Sequence, residues 1–299
     1  MVLSDRSLAW LRAIDDAAPP ADDAIAMSCA LGLMAHRTPA WTERYVAALD
    51  RLVGSGACDS GSLLVALGIR SMITRRSATE PHRALAERTC AQWPAAVTDA
   101  IVAGLGLLLH DRRYGTDFHE PTFVRWWHGA RDEVKVGDAL EAAFYLAPQA
   151  PADARRLFDS VDVTGAGGPA LFLAREWGLA PPIMPTDDGA FAAAAEACSP
   201  GGWSRLATVP LAPCPQIVGV DASILALRRA EWVDDSLYLE LAPVRDDPSR
   251  RTSFRVVGAE PRMWYLTGID GATIDVTAHA VDVRVAAVEG ELVFTPGSY

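Results

Sequence analysis

From its start to about residue 205 this chain places apolar residues at three- and four-residue spacing, segment after segment, and then abandons that pattern for alternation. A 3.6-residue period gives each segment one apolar stripe. Such helices must bury their stripes against other helices. The spacing predicts helices over 5–17, 22–36, 40–53, 60–75, 81–92, 95–110, 136–146, 151–160, 169–178 and 187–198, with Leu8, Leu11 and Ile14 marking the face of the first. Asp22 and Asp187-Asp188 stand where caps belong, and Pro151 and Pro169 suit a first helical turn. Helix starts recur roughly every 20 residues without a sequence repeat. Paired helices in this number close into an α/α toroid or pack as an irregular bundle, and periodicity does not choose between them.

Beyond residue 206 the signal changes. Leu237–Leu241 and Val281–Val285 alternate, and Ile224–Leu227, Ser253–Val257 and Leu292–Phe294 also read as strands. Glu289-Gly290 reads as a turn between the last two strands, and Asp247-Pro248, Gly268–Gly271 and Pro296-Gly297 punctuate the region. The expectation is a mainly α chain, with helices over 1–205 and a small antiparallel β module over 206–299 packed on them.

The net charge of −11 argues against a nucleic-acid or anionic-membrane partner. The five cysteines, Cys29, Cys58, Cys90, Cys198 and Cys214, are scattered with no C-x-x-C, which suggests a reducing cytoplasm. The charged N-terminal segment does not read as a signal peptide, and the longest apolar windows are too short to span a bilayer. An acidic surface permits a homo-oligomer without demanding one.

Gly165-Ala-Gly-Gly-Pro-Ala170 imitates a dinucleotide fingerprint, with Asp187 downstream, but no strand precedes it and helices flank it. It reads as a Gly-rich connector. The acidic pairs Asp15-Asp16, Asp22-Asp23, Asp187-Asp188, Asp234-Asp235 and Asp246-Asp247 read as caps or turns, since none extends to D-D-x-x-D. No G-x-S-x-G, H-E-x-x-H or Walker-type loop occurs.

Residues 110–128 concentrate the chemistry. They hold His110, Tyr114, Asp117, His119, Glu120 and His128 beside Phe118, Phe123, Arg125, Trp126 and Trp127. An apolar reaction chamber needs both kinds of residue. Glu120, if buried among these aromatics, would have its pKa raised by desolvation and could serve as acid or base near neutral pH. His119 and His128 can exchange protons with little perturbation, Tyr114 and Asp117 can orient them, and His110 completes the set. Phe118, Phe123, Trp126, Trp127 and Arg125 are the candidate substrate contacts. The three histidines are nine residues apart, which does not put them on one face of a continuous helix, and Gly115 and Pro121 interrupt any helix there. Metal-free acid–base chemistry is therefore the favoured reading over a zinc site.

The stretch from Gly115 to His128 resembles a motif of the linalool dehydratase/isomerase-like family, where Cys-Glu-Pro is followed, after a few residues including a Phe, by a second Cys. Glu120-Pro121 matches the Glu-Pro, and His119 and His128 occupy the two cysteine positions. Gly129 stands where Asn is usual. The tail is similar too: Pro215–Asp221, a strand ending near Arg229-Ala230, then Leu-x-Leu-x-Leu and Thr-Ser-Phe-x-Val. The likeness spans residues 95–275. It implies an α/α toroid around a hydrophobic cavity, and a cofactor-free dehydratase, isomerase or cyclase acting on a hydrophobic terpenoid- or polyketide-like substrate. The alternatives are a carbohydrate-active α/α-toroid hydrolase, lyase or epimerase, and a non-catalytic small-molecule-binding protein.

Overall fold

A computed structural model describes residues 2–16, 24–56, 58–74, 79–162, 167–180, 189–245, 247, 249–260, 263–277 and 279–297. Among these residues the chain is mainly helical, with twelve α-helices followed by a two-sheet antiparallel strand module. The helices are α1 (Asp5–Asp16), α2 (Ala24–Arg37), α3 (Thr42–Gly54), α4 (Ser60–Thr74), α5 (Thr79–Ala91), α6 (Val97–Tyr114), α7 (Arg125–Ala130), α8 (Ala139–Leu146), α9 (Pro151–Asp159), α10 (Gly168–Glu176), α11 (Gly189–Ala197) and α12 (Gly202–Thr208). No helix among the described residues is long and apolar enough to cross a membrane.

The chain divides into two compact units. One contains Met1–Asp16, Met34–Ala47 and Ala212–Tyr299; the other contains Ala17–Leu33 and Ala48–Leu211. The first carries all the strands and also holds two N-terminal segments that lie within the predicted helical region of 1–205.

In the helical unit α6 is buried continuously from Ala100 to His110, so neighbouring elements pack around it on every side. Its glycines make this possible. A Cβ on Gly106 would lie 2.6 Å from Leu64 of α4, and one on Gly68 would lie 2.6 Å from Leu109 of α6. The two helices therefore interlock, each inserting a leucine over the other's glycine. Asp59 caps α4 by accepting the Ser62 N–H at 2.8 Å. Elsewhere Trp203 stacks on Phe144 at 5.4 Å, and its indole N–H donates to the Phe144 carbonyl at 2.9 Å. Buried Glu176 accepts the Trp203 N–H, the Ser204 N–H and the Ser204 hydroxyl, which anchors the start of α12.

The strand unit contains β1 (Gln216–Val218), β2 (Leu225–Val233), β3 (Ser236–Pro243), β4 (Arg251–Val257), β5 (Trp264–Gly268), β6 (Thr273–Val276), β7 (Ala280–Ala286) and β8 (Gly290–Pro296). One sheet has the order β1-β4-β7-β6 and the other β2-β3-β8-β5, all antiparallel. Leu237, Leu239 and Leu241 point to the core from β3, as do Val281, Val283 and Val285 from β7. The predicted turn at Glu289-Gly290 joins β7 to β8, but these strands belong to different sheets and do not pair. The turn is a crossover, and β8 pairs instead with β3 and β5. Gln216 ties the segment 34–47 to β1, accepting from the Thr42 hydroxyl at 2.5 Å and donating to the Pro39 carbonyl at 3.0 Å.

Asp234-Asp235 forms the β2–β3 turn, as expected for an acidic pair in a loop, with both residues at positive φ (47° and 62°). Pro151 and Pro169 occupy first-turn positions, as predicted. Within the Gly165–Ala170 connector, Gly165 and Ala166 lie outside the described residues, as do Asp22-Asp23 and Asp187-Asp188. All five cysteines are free thiols.

The α4–α6 interlock gives a direct test by chemical denaturation. Gly106→Ala should destabilise the chain by about 1–3 kcal/mol through overpacking. Combining it with Leu64→Ala should cost less than the sum of the two single changes. Gly129→Ala, on the open face of α7 with nothing within 4 Å of the new methyl, should be neutral or stabilise by about 0.5–1 kcal/mol.

Candidate functional site

The segment 110–130 begins where α6 ends. Gly115 adopts the left-handed conformation (φ 68°) and its N–H bonds back to the Asp111 carbonyl at 2.8 Å, which stops the helix. Pro121 does not break a helix, as the sequence suggested; it starts one. It occupies the first positions of a wide π turn, Glu120–Val124, that runs directly into α7. At that place its missing N–H costs no hydrogen bond.

The new helical stretch buries His119, Phe123, Trp127 and Ala130, a 4-4-3 spacing that makes one inward stripe. A Cβ on Gly104 of α6 would lie 2.3 Å from the Phe123 ring, so that glycine is what lets the stripe seat. Glu120, Arg125 and His128 fall off the stripe and are exposed, and Asp117 is exposed in the loop before it. The expected burial of Glu120 among aromatics therefore does not occur: the side chain sits one position past the inward-facing His119.

Asp111 holds the segment together. Its Oδ2 accepts the backbone N–H groups of Phe118 (2.9 Å) and His119 (2.7 Å), donors at the start of the π turn that have no helical partner. Its Oδ1 accepts the Thr116 hydroxyl at 2.6 Å. A hydroxyl has one proton, so Thr116 must accept from His110 Nδ1–H at 2.8 Å. Burial pushes the Asp111 carboxyl up, but the adjacent His110 ring and the hydrogen bonds from Thr116, His119 and Phe118 outweigh it and hold the group below its usual value.

Two environments result. In the first, His110 and His82 meet edge to face at 4.8 Å, with Tyr114 at 4.8 Å from His110 and its hydroxyl 3.5 Å from His82 Nδ1. Phe118 covers His110 at 5.4 Å and packs on the Leu64, Leu85, Ala86 and Leu107 cluster. Desolvation, with the neighbouring His110, pushes His82 down to about 4, so it is neutral at neutral pH. His110 Nε2 is buried with no hydrogen-bond partner among the described residues.

The second environment is a pocket of about 160 Å³ lined by Phe123, Val124, Trp127, His128, Arg131, Gln149, Ala150 and Asp153. His119 lies behind it. The Gln149 amide N–H₂ donates to the Ile101 and Tyr145 carbonyls, each at 2.9 Å, so its oxygen is left to accept from His119 Nε2–H at 3.1 Å. Desolvation holds His119 below its ordinary pKa. His128 differs: its Nδ1–H donates to the Val124 carbonyl at 2.7 Å, so in the neutral ring the lone pair is on Nε2. Asp153 accepts the Trp127 indole N–H at 2.7 Å and pairs with Arg156 at 3.2 Å, which fixes it as an oriented carboxylate.

Of the residues singled out in the sequence, Phe123, Trp127 and His128 line this pocket and His119 supports it. Phe118, His110 and Tyr114 belong to the first environment. Trp126 packs edge to face on Trp93 at 5.8 Å, and Glu120, Asp117 and Arg125 face outward. Sequence reasoning gave no role to Asp111, Thr116, His82, Arg131, Gln149 or Asp153. The only local signal was the place of Asp153 in the first turn after Pro151. Among the described residues, no three His, Cys, Asp or Glu side chains are grouped to hold a metal ion.

No protein-family model, curated protein or solved structure matches this chain.

Asp111→Asn should cost about 1–3 kcal/mol at neutral pH, because an amide N–H₂ would oppose donors that a carboxylate accepts. A depressed carboxyl contributes stability above its unfolded pKa and loses it as pH falls through its folded value. The gap in stability between wild type and variant should therefore close below about pH 4, as followed by thermal melts across pH. A gap independent of pH would contradict the ionised role.

Proposed function

We propose that the helical unit is a cofactor-independent acid–base catalyst, a dehydratase, isomerase or cyclase that takes a small hydrophobic substrate or one end of a terpenoid- or polyketide-like one. The observation that carries this reading is His128: its Nδ1–H is committed to the Val124 carbonyl, and its Nε2 lone pair belongs to a ring at the edge of a pocket walled by Phe123 and Trp127. A positioned general base contributes about 10²–10⁴ in rate. In an elimination, Nε2 takes a proton from carbon and the imidazolium returns it to the departing hydroxyl, which leaves as water. The aromatic walls shield the apolar side of the substrate and face developing cationic charge. Arg131 and the Trp127-anchored Asp153 fix the polar end of the substrate. His119 is a positioning residue, acting through Gln149.

The pocket is smaller than the roughly 300–1,000 Å³ of sites that enclose drug-sized ligands, which is why a small substrate or a chain end fits this reading. The helical hairpins α4–α5 and α8–α9, with α6 buried among its neighbours, are arranged in our proposal as an α/α toroid. The likeness of residues 115–128 to the linalool dehydratase/isomerase-like motif supports the same chemistry, with imidazoles at both thiol positions. We place the reaction in the cytoplasm, where five unpaired thiols are compatible with the redox conditions.

A second reading, non-catalytic binding of a small molecule, is favoured by one observation. His110, Thr116, Asp111, His82 and Tyr114 contact one another, as groups in a structural network would. A carbohydrate hydrolase finds less support, since Asp153 is the one carboxylate lining the pocket among the described residues, whereas that chemistry uses two.

The test is turnover of a panel of tertiary allylic alcohols and β-hydroxy carbonyl compounds in D₂O, with alkene formation and deuterium uptake followed together. His128→Ala should lower both by about 10²–10⁴. Glu120→Gln should change them by no more than a few-fold. Loss on Glu120→Gln with retention in His128→Ala would overturn the assignment. Saturable binding of a panel member without turnover or exchange would select the second reading.

A further inference from the structure

The polar groups of the pocket of about 160 Å³ in the helical unit decide what a bound molecule must carry. Most of its N–H donors are spent within the protein. The Trp127 indole donates to Asp153 at 2.7 Å, the Gln149 amide to the Ile101 and Tyr145 carbonyls at 2.9 Å each, and the neutral His128 ring to the Val124 carbonyl at 2.7 Å. The Ala150 backbone N–H is used as well, on the Leu146 carbonyl at 2.7 Å. Arg131 is different. It lines the pocket, and among the described residues no carboxylate, carbonyl or aromatic ring engages its guanidinium. Its backbone N–H bonds to the Trp127 carbonyl at 3.0 Å, which carries the last turn of α7 through to Arg131 and sets it one turn beyond Trp127 and His128 on the same side.

The acids nearby do not quench this charge. Asp153 is paired with Arg156 at 3.2 Å, and Asp132, next in sequence to Arg131, approaches the same Arg156 at 3.6 Å. The pocket therefore offers a ligand one uncompensated cation whose N–H donors form a planar fork. A carboxylate matches that fork with two parallel hydrogen bonds and one charge. A neutral carbonyl would leave the cation uncompensated. A phosphate dianion would bring more charge and more oxygens than one guanidinium satisfies, with the other side-chain donors taken. Phe123 and Trp127 supply an apolar wall beside the cation. Asp153 keeps lone pairs beyond its bonds to Trp127 and Arg156, so it accepts a hydroxyl and repels a carboxylate, which orients a ligand carrying both.

We propose that Arg131 makes this pocket a monocarboxylate site and that the substrate is a short-chain hydroxy acid, with its carboxylate on the Arg131 guanidinium and its apolar chain on Phe123 and Trp127. The hydroxyl rests on the acid–base reading above; the carboxylate contact stands on the donor inventory alone. Loss of water from such an acid gives the unsaturated acid. The proton that leaves carbon travels on His128 Nε2 to the departing hydroxyl, the C–O bond breaks, and the carboxylate is unchanged.

The test is calorimetric titration of the full chain, at about 0.15 M salt to screen distant charges, with isovalerate, with its uncharged isostere isovaleramide and with inorganic phosphate. Saturable binding of isovalerate is expected, and the amide and phosphate should each bind at least about tenfold more weakly. Arg131→Gln should weaken isovalerate at least about tenfold, with amide binding and circular dichroism unchanged. Absence of saturable isovalerate binding, equal binding of the amide or of phosphate, or undiminished binding by Arg131→Gln would each overturn the carboxylate site. The readout is binding, so it separates this inference from the acid–base reading. Isovalerate binding without turnover of any hydroxy acid would keep the carboxylate site and overturn the acid–base reading. Turnover of neutral alcohols without carboxylate binding would do the reverse.

Discussion

The candidate catalytic site depends on the Asp111 carboxylate at the end of α6. That helix is buried through eleven successive residues, Ala100 to His110, which leaves its last turn as the first place where polar groups gather. There the chain must turn, cover α6 and start a new helix without stranding its backbone donors. One carboxylate does this by accepting two N–H groups and a hydroxyl from the following loop. The site helix is thereby aimed at Gly104, and the glycine gives the Phe123 ring room to seat. Local chain geometry and packing thus converge on the same few residues.

This arrangement separates the histidines by function. His82, His110 and His119 are buried, and each has a ring nitrogen engaged with a neighbouring side chain. Burial disfavours the charged forms of His82 and His119, which suits a rigid framework and not proton transfer at neutral pH. His128 lies one residue beyond the buried stripe, keeps water access, and has its tautomer set by a backbone carbonyl. The aromatic stripe serves both units of this logic: Phe123 stacks on His119 at 5.1 Å on one side and faces Trp127 at 6.0 Å on the other.

Much of this was legible in the sequence where burial is one-sided. The predicted helix 60–75 becomes Ser60–Thr74, and 151–160 becomes Pro151–Asp159, because an apolar face and cap chemistry mark both ends. The strands that sequence reading missed, β1, β5 and β6, are all sheet edges. Edge strands bury little; β6 has no buried residue, so alternation never develops. The π turn was missed because Pro121 reads as a breaker unless the capping Asp111 is known to precede it in space. The 110–128 segment was recognised as the concentration of chemistry, but its partners were not. Gln149 and Asp153 are brought to it by tertiary packing alone, and no local pattern marks such a meeting. Glu120 shows the limit most clearly, since a shift of one position along a helix separates burial from solvent.

The most direct measurement is long-range ¹H–¹⁵N correlation of the histidine rings by NMR as pH is varied. The account requires His119 to be neutral as the Nε2–H tautomer, and His82 to remain neutral down to about pH 5.5. It requires the neutral His128 ring to be the Nδ1–H tautomer with its lone pair on Nε2. Protonation of His82 or His119 with a midpoint at or above about 6.5, or a dominant Nε2–H tautomer for His128, would contradict it.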